Sequence, residues 1–236
     1  LPKPRTNTEN RTMTWKLPPA LDESTPDAAH LRDALAARAD FFDPVSPVWL
    51  ARAPGRLDLM GGFADYSGGL VLQMPMAVAA FCAAQRTGDG EVRVASADAA
   101  EEGLATEVVV PAGELGKMDF GEARRYFAEA PANRWAAYAV GALLVLLREK
   151  SRAPGGGLRM LLASNVPLSK GLSSSAAVEV AAMRAAAAAL DIELGGRELA
   201  LLCQMAENRV VGAPCGVMDQ MTSALGRRGH LLALRC

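Results

Sequence analysis

The chain is organised around one stretch, Pro167-Leu168-Ser169-Lys170-Gly171-Leu172-Ser173-Ser174-Ser175-Ala176-Ala177. The apolar run 158–163 before it has the length of a strand, and the alanine-rich run 176–190 after it favours a helix. A loop of small residues that leads into a helix leaves backbone N–H groups unpaired, and the helix dipole favours an anion there. The pattern therefore predicts a phosphate site. The alternative is that the serines are ordinary helix N-caps, and the loop is not a Walker A motif because Lys170 precedes Gly171.

A second stretch rich in glycine and charged residues runs from Arg52 to Gly69. A predicted strand at 48–53 leads into it. The glycines and Pro54 predict a long loop, interrupted by a short apolar piece, that holds Arg56, Asp58 and Asp65 in tightly turned backbone. The alternative is a surface hairpin whose charges are solvated.

A third stretch follows the predicted helix 197–209. Glu207 lies near the end of that helix, and the glycines and Pro214 after it break the helix and redirect the chain. Asp219 then lies near the start of a short predicted helix at 217–225, where the helix dipole stabilises a carboxylate. The alternative is that Asp219 only complements the dipole of its own helix.

The composition narrows the class of protein. The 236 residues are half hydrophobic, which is enough for a globular fold with a sizeable core, and the net charge of −1 argues against a nucleic-acid or membrane-surface partner. The longest apolar run, 135–147, is too short to cross a bilayer. Four cysteines without a C-x-x-C pair, and only two histidines, predict free thiols in the cytoplasm and argue against a disulfide framework, a zinc site or a histidine-based triad.

The remaining patterns predict one globular domain at 25–236 after a linker or disordered tail at 1–24. Its first helix would start at Thr25-Pro26-Asp27 and end near Arg38. Further predicted elements are strands at 70–84 (two strands, or one bent at Pro75), 91–96, 106–110 and 230–234, and a helix at 133–150 that is buried nearly all round.

Together the three stretches resemble the GHMP sugar kinases, and within them the galactokinase and L-arabinokinase branch. Residues 52–69 resemble the sugar-binding signature, 167–177 the ATP loop, and 206–220 the segment that carries the catalytic aspartate. The three occur in the family's order and cover most of the chain from about Trp49. The resemblance implies an α+β fold, in which a mixed β-sheet has helices packed on one face. It also implies that this is the N-terminal domain of a larger kinase, with further domains possible upstream and downstream.

The resemblance also implies roles for individual residues, with ATP and Mg²⁺ as cofactors and a small sugar as substrate. Asp219 would be the catalytic group for the sugar hydroxyl, with Arg56 beside it. Ser175 and Glu207 would share Mg²⁺. The sugar would be bound by Asp65, Gly62, Phe63 and Tyr66. ATP would be bound by Pro167, Lys170, Gly171, Leu172, Ser173, Ser174, Ser175 and Ala176.

One departure from the galactokinase pattern bears on the substrate. Galactokinases have Glu-His where this chain has Gly62-Phe63, and their glutamate is thought to hold the C6 hydroxyl of the sugar. L-Arabinopyranose lacks that group, and an unpaired buried carboxylate would cost about 1–3 kcal/mol. We therefore expect a sugar 1-kinase for L-arabinose, in which Gly62 removes the acceptor and Phe63 fills apolar space.

Three alternatives stay open at this point. The substrate of such a kinase could be D-galactose, or the chain could be a non-catalytic sensor of sugar and ATP. The third alternative is a GHMP kinase for mevalonate or homoserine. The presence of Arg56, Glu207 and Asp219 favours an enzyme over a sensor, and the Asp65-Tyr66 part of the first stretch favours the sugar branch.

Overall fold

The computed structural model describes residues 28–153 and 155–236. The predicted tail at 1–24 and the predicted helix start at Thr25-Pro26 lie outside the described residues. The described part of that first helix, α1, is Ala28–Ala37, and its end agrees with the prediction to within one residue.

The described residues form a mixed sheet of six strands, which confirms the predicted α+β class. The strand order is β1-β2-β5-β3-β4, and β6 pairs with β2 beside β2's first residues. The β3–β5 pair is parallel, and the other pairs are antiparallel. The strands are β1 Trp49–Met60, β2 Leu70–Thr87, β3 Glu91–Ser96, β4 Glu107–Pro111, β5 Gly157–Ser164 and β6 Leu232–Arg235.

Helices α4 to α6 contribute most of the main hydrophobic core. Helix α4 is buried along nearly its whole surface, as its continuous apolar sequence predicts. A π-helical turn, Glu207–Val211, continues α6. The helices after α1 are α2 Ala112–Leu115, α3 Phe120–Ala128, α4 Ala136–Glu149, α5 Ser174–Ala189, α6 Gly196–Ala206 and α7 Met218–Leu225.

Strand β2 shows how the two faces of the sheet are divided. Ala80, Cys82 and Ala84 belong to the core shared with α4 to α6. Phe81, between them in the sequence, packs in a second core with Leu31 and Leu35 of α1, because successive side chains of a strand point to opposite faces. The long helices therefore lie on one face as expected, and α1 is an additional cover on the other.

The predicted loop at 52–69 is wrong over its first half, because β1 continues through Pro54 as far as Met60. Proline is tolerated there because β1 is an edge strand of the sheet, and the register with β2 shifts between Pro54 and Arg56 as at a β-bulge. The rest of the stretch forms the 3₁₀ turn Gly62–Ser67. Strand β2 is a single strand of 18 residues that runs through Pro75, so of the two alternatives for 70–84 the single strand is confirmed.

Helix α3 has no counterpart among the predicted elements. Its start carries a capping box, in which the Asp119 side chain accepts from the Glu122 N–H and the Glu122 side chain accepts from the Asp119 N–H. Among the helices in the described ranges, none combines the length and the apolar character needed to span a membrane.

Candidate active site

The loop between β5 and α5 forms one wall of the candidate site. Helix α5 begins at Ser174, two residues before the predicted start, with Ser173 as its N-cap. The Ala177 N–H bonds to the Ser173 carbonyl at 3.1 Å, and the N–H groups before Ala177 have no acceptor one turn back within the helix. Gly171 and Ser173 both adopt left-handed backbone, with φ of 71° and 54°. The serine-rich loop thus connects a strand to the start of a helix, as its sequence predicted.

Strand β1 holds this loop by two contacts of one arginine. The Arg56 backbone N–H donates to the Leu172 carbonyl at 3.1 Å, and Arg56 Nη1 donates to the Gly171 carbonyl at 2.9 Å. Gly55 permits the approach, since a Cβ at that position would lie 2.9 Å from the Leu172 oxygen. The irregularity in β1 is therefore the place where the loop docks.

Asp219 joins all three sequence stretches. Arg56 donates to Asp219 Oδ1 from Nε at 2.7 Å, and its Nη2 lies 2.6 Å from the same oxygen. The Ser173 hydroxyl donates to Asp219 Oδ2 at 2.6 Å. The Arg56 and Asp219 side chains are 10% and 23% exposed, so water screens this ion pair less than a surface pair. A carboxylate, a guanidinium and the start of α5 therefore converge at one point.

Asp65 caps the helix that carries Asp219. Its carboxylate accepts from the backbone N–H groups of Val217 at 3.0 Å and Met218 at 3.1 Å. A Cβ on Gly216 would lie 1.9 Å from Asp65 Oδ2, so only glycine leaves room for this contact. The start of α7 is therefore capped by Asp65 of the first stretch, in addition to the dipole-complementing position of Asp219 itself.

The other predicted sugar-binding residues lie in or beside the 3₁₀ turn. The Gly62 N–H donates to Asp58 Oδ2 at 2.8 Å, and a Cβ on Gly62 would meet no atom within 4 Å. Tyr66 is exposed, and its hydroxyl lies 3.5 Å from the Pro214 carbonyl. The side chain of Phe63 is 89% exposed, so the expectation that Phe63 fills apolar space is wrong in the described part of the chain. Pro167 and Lys170 lie exposed on the serine-rich loop.

Glu207 lies in the π-helical turn that follows α6 and is buried. Gln220 Nε2 donates to Glu207 Oε2 at 2.6 Å, and the Ser175 side chain also hydrogen-bonds the carboxylate. Gln220 Nε2 lies 3.3 Å from Oε2 of Glu179, which is fully buried in α5 and whose Oε1 has no partner. Burial, and then the charge of Glu207, raises the pKa of Glu179; burial also raises the pKa of Glu207.

These oxygens fit a magnesium ion bound together with phosphate. The described residues contain no group of three or more His, Cys, Asp or Glu that could hold a metal, and Mg²⁺ is usually held by one or two carboxylates plus substrate phosphates. Glu207 and Ser175 supply two hard oxygens beside the start of α5. The unpartnered Glu179 oxygen and the raised pKa values indicate a region short of positive charge.

Sequence reasoning missed three members of this cluster: Glu179, Cys215 and Gln220. The Cys215 thiol lies 3.4 Å from Glu207 Oε2. A signal for Glu179 was available, because it is the one charged residue among the apolar residues 176–183, and a carboxylate is rarely buried without a partner.

Comparisons with known proteins agree with the three stretches. The model of the galactokinase galactose-binding signature matches residues 38–86, and that of the GHMP kinases N terminal domain matches residues 137–227. The chain is 41% identical to an L-arabinokinase of Arabidopsis thaliana over 91% of this chain, and 37% identical to a galactokinase of Chloroflexus aggregans over 80% of it. It spans 23% and 44% of those two proteins.

Solved structures share the fold. The galactokinase of Lactococcus lactis, solved in complex with galactose, superimposes with a TM-score of 0.73 at 24% identity, covering 87% of this chain and 49% of that one. The mevalonate kinase of Methanococcus jannaschii gives 0.65 at 19% identity, covering 81% of this chain and 55% of that one. The chain therefore belongs to the GHMP kinase family, where its sequence relatives include galactokinase and L-arabinokinase.

Proposed function

We propose that the protein is an ATP-dependent sugar kinase that phosphorylates the anomeric hydroxyl of L-arabinose. The observation that carries this proposal is the contact of Asp219 with both Arg56 and Ser173 at the start of α5. Phosphoryl transfer requires little covalent chemistry from the protein, but it does require an oriented hydroxyl next to bound phosphates. The free thiols fit the cytoplasm as the place of this reaction.

The serine-rich loop would bind the phosphates of ATP. Backbone N–H groups at the start of α5 and the positive end of its dipole favour an anion. The left-handed backbone at Gly171 opens the loop to a bulky group. Residues proposed for this role are Pro167, Lys170, Gly171, Leu172, Ser173, Ser174, Ser175 and Ala176.

Ser175 and Glu207 would hold Mg²⁺ together with the phosphates. When bound, the ion would neutralise charge that develops on the transferred phosphoryl group. Gln220 orients the Glu207 carboxylate toward Ser175 through its 2.6 Å hydrogen bond.

Asp219 would accept a hydrogen bond from the anomeric hydroxyl and take its proton as phosphate is transferred. Arg56 holds Oδ1 of the carboxylate, whereas Ser173 donates to Oδ2, and Arg56 would add positive charge where the phosphoryl group passes. Asp65 would reach ring hydroxyls with lone pairs that Val217 and Met218 leave unused, since a carboxylate offers about four acceptor positions. Tyr66 and the backbone at Gly62 would line the sugar site on the same side as Asp65.

Two observations favour L-arabinose. The identity to the L-arabinokinase exceeds that to the galactokinase, at 41% against 37%. A Cβ on Gly62 would meet no atom within 4 Å, and position 62 itself supplies no carboxylate to bind a C6 hydroxyl. Phe63 no longer supports the argument, because its side chain is solvent-exposed.

D-Galactose is the second candidate. The match of residues 38–86 to the galactose-binding signature favours it. A sensor would bind sugar and ATP through the same residues without turnover. The presence of the Arg56–Asp219 pair favours an enzyme over a sensor.

The test compares kcat/KM for L-arabinose and D-galactose, using Mg-ATP and the full gene product that contains this chain. Wild-type protein should prefer L-arabinose, and Gly62→Glu should raise the galactose-to-arabinose ratio. The matched control is Gly62→Met, which imposes the same strain at φ +49° without an acceptor and should leave the ratio low. A wild-type preference for galactose would refute the arabinose assignment. Binding of both ligands without turnover would instead identify a sensor.

A further inference from the structure

Both carboxylate oxygens of Asp219 are already occupied in this structure. Arg56 takes Oδ1 with two nitrogens, and Ser173 takes Oδ2 with its hydroxyl at 2.6 Å. A sugar hydroxyl that approaches from the side of α5 must therefore compete with Ser173 for Oδ2.

The Ser173 side chain departs from the usual behaviour of a helix N-cap. A serine at this position normally accepts from an N–H in the first turn of its helix, but Ser173 makes no side-chain cap bond. Its backbone is left-handed, at φ 54° and ψ 49°, a conformation that is rare for residues other than glycine and often marks functional sites. The hydroxyl is thereby aimed across the site at Asp219, away from its own helix.

A serine hydroxyl carries one proton and can donate to only one acceptor at a time. Asp219 Oδ2 is the acceptor in this structure. A phosphate oxygen bound at the start of α5 would be a second acceptor, placed next to the same side chain. A phosphate group and Asp219 therefore compete for one proton.

We propose that Ser173 couples nucleotide binding to sugar binding. Without nucleotide its hydroxyl donates to Asp219; with nucleotide bound it rotates to donate to a phosphate oxygen and leaves Asp219 Oδ2 free for the sugar hydroxyl. This proposal rests on the proposed function. It assigns Ser173 a positioning role toward Asp219 in addition to phosphate binding.

The backbone around Ser173 allows this exchange without loop movement. Arg56 fixes the Leu172 carbonyl and the Gly171 carbonyl on the side before Ser173. On the side after it, the Ser173 carbonyl accepts the first bond of α5 from Ala177. Rotation about χ1 between staggered positions is then enough to move the hydroxyl from one acceptor to the other.

Coupling of this kind is reciprocal. If nucleotide raises the affinity for sugar by some factor, sugar raises the affinity for nucleotide by the same factor. Coupled sites typically show about 5- to 150-fold effects. A serine that only braced Asp219 would produce no such exchange, and removing it would weaken sugar binding under all conditions.

The experiment measures sugar affinity by calorimetry, with and without the Mg²⁺ complex of a non-hydrolysable imido analogue of ATP, on the full gene product. In wild type we expect at least 5-fold tighter sugar binding when the analogue is present. Ser173→Ala should bind sugar more tightly than wild type in the absence of analogue, and the coupling factor should fall to near one. Ser151→Ala is the matched control, because it removes a hydroxyl from an exposed serine with the same left-handed backbone, at φ 50°, outside the proposed site, and should keep the coupling.

Ser173→Gly provides a second variant, since glycine adopts the left-handed backbone freely and so deletes the hydroxyl without adding strain. Weaker sugar binding in both variants, with the coupling factor unchanged, would overturn the proposal. Wild-type binding of both ligands without coupling would overturn it and leave the proposed function standing. Failure of wild type to bind either sugar or the analogue would refute the proposed function itself.

Discussion

Helix α7 contributes one residue to each of two carboxylate clusters that are built in opposite ways. In the first cluster, Asp219 contacts a guanidinium and a hydroxyl, each at 2.6–2.7 Å. In the second cluster, Glu207 and Glu179 contact an amide, a hydroxyl and a thiol, and within the described part of the chain neither carboxylate forms an ion pair with a cation. The two clusters begin at consecutive residues, Asp219 and Gln220, so one turn of helix holds both.

The contrast shows which cluster needs a further component. A buried carboxylate paired with arginine is electrically balanced without a ligand. Two buried carboxyl groups in contact are not balanced, and burial raises the pKa of both. The first cluster is therefore balanced as it stands, whereas the second would be balanced by a proton or by a bound metal ion.

The largest expected effect comes from the balanced cluster. Asp219→Asn keeps the shape of the side chain but removes its charge and its basicity, so we expect kcat to fall by about 100- to 10,000-fold. Steady-state kinetics with saturating sugar and Mg-ATP would measure this loss. Asp43→Asn, at an exposed aspartate that bonds Ser46, is the control. A loss below 10-fold would show that Asp219 does not take part in proton transfer.

A smaller effect is expected from the cluster without a cation. Glu207→Gln removes a proposed metal ligand, so the Mg²⁺ concentration for half-maximal activity should rise by at least the roughly 10- to 100-fold that loss of an outer partner costs a metal site. Manganese binding to the protein–nucleotide complex gives a readout independent of turnover. An unchanged metal requirement, together with a higher KM for sugar, would remove Glu207 from the metal site.

The smallest effect concerns stability. Burial, and then the charge of Glu207, raises the pKa of Glu179 well above its ordinary value, so at intermediate pH the native state keeps a proton that the unfolded chain has already lost. The contribution of this group to stability is full below the ordinary pKa of a glutamate and is lost as pH rises through the raised folded pKa. Glu179→Gln cannot ionise, so its melting temperature should gain on wild type between pH 5 and pH 8.

Each 1 kcal/mol that Glu179→Gln adds to the free energy of unfolding should raise the melting temperature by about 2–4 °C in a domain of this size. Glu198→Gln, at an exposed glutamate of α6 that pairs with Lys150, is the control and should follow the wild-type pH profile. If the melting temperatures of Glu179→Gln and wild type change in parallel with pH, ionisation of Glu179 does not destabilise the native state.

Local elements of this fold could be predicted from sequence where one periodicity dominates. The alternation in 91–96 gave β3 with its observed bounds, and the unbroken apolar run of α4 gave a buried helix. The capping box of α3 could also have been found, because Asp119 and Glu122 have the required spacing. Each of these signals lies within a few residues of the structure that it specifies.

The rest depends on partners that are remote in sequence. Pro54 and Gly55 indicate a loop by themselves, and they form a strand because the edge position and the approach of Leu172 favour a bulge there. Asp65 belongs to the first stretch but caps α7. Phe63 was expected to be buried, but nothing local showed that the 3₁₀ turn directs its side chain into solvent.

The arginine that anchors the site also has a consequence for folding. Arg56 and Asp219 are 163 residues apart in sequence, and Asp65 and Val217 are 152 apart. Closing loops of that length loses conformational entropy before the contacts can stabilise the fold. Contacts between residues far apart in sequence therefore slow folding. We therefore expect strands β1 to β5 to assemble before the serine-rich loop makes its contact with Asp219. The proposed kinase activity would then be among the last properties to appear during refolding.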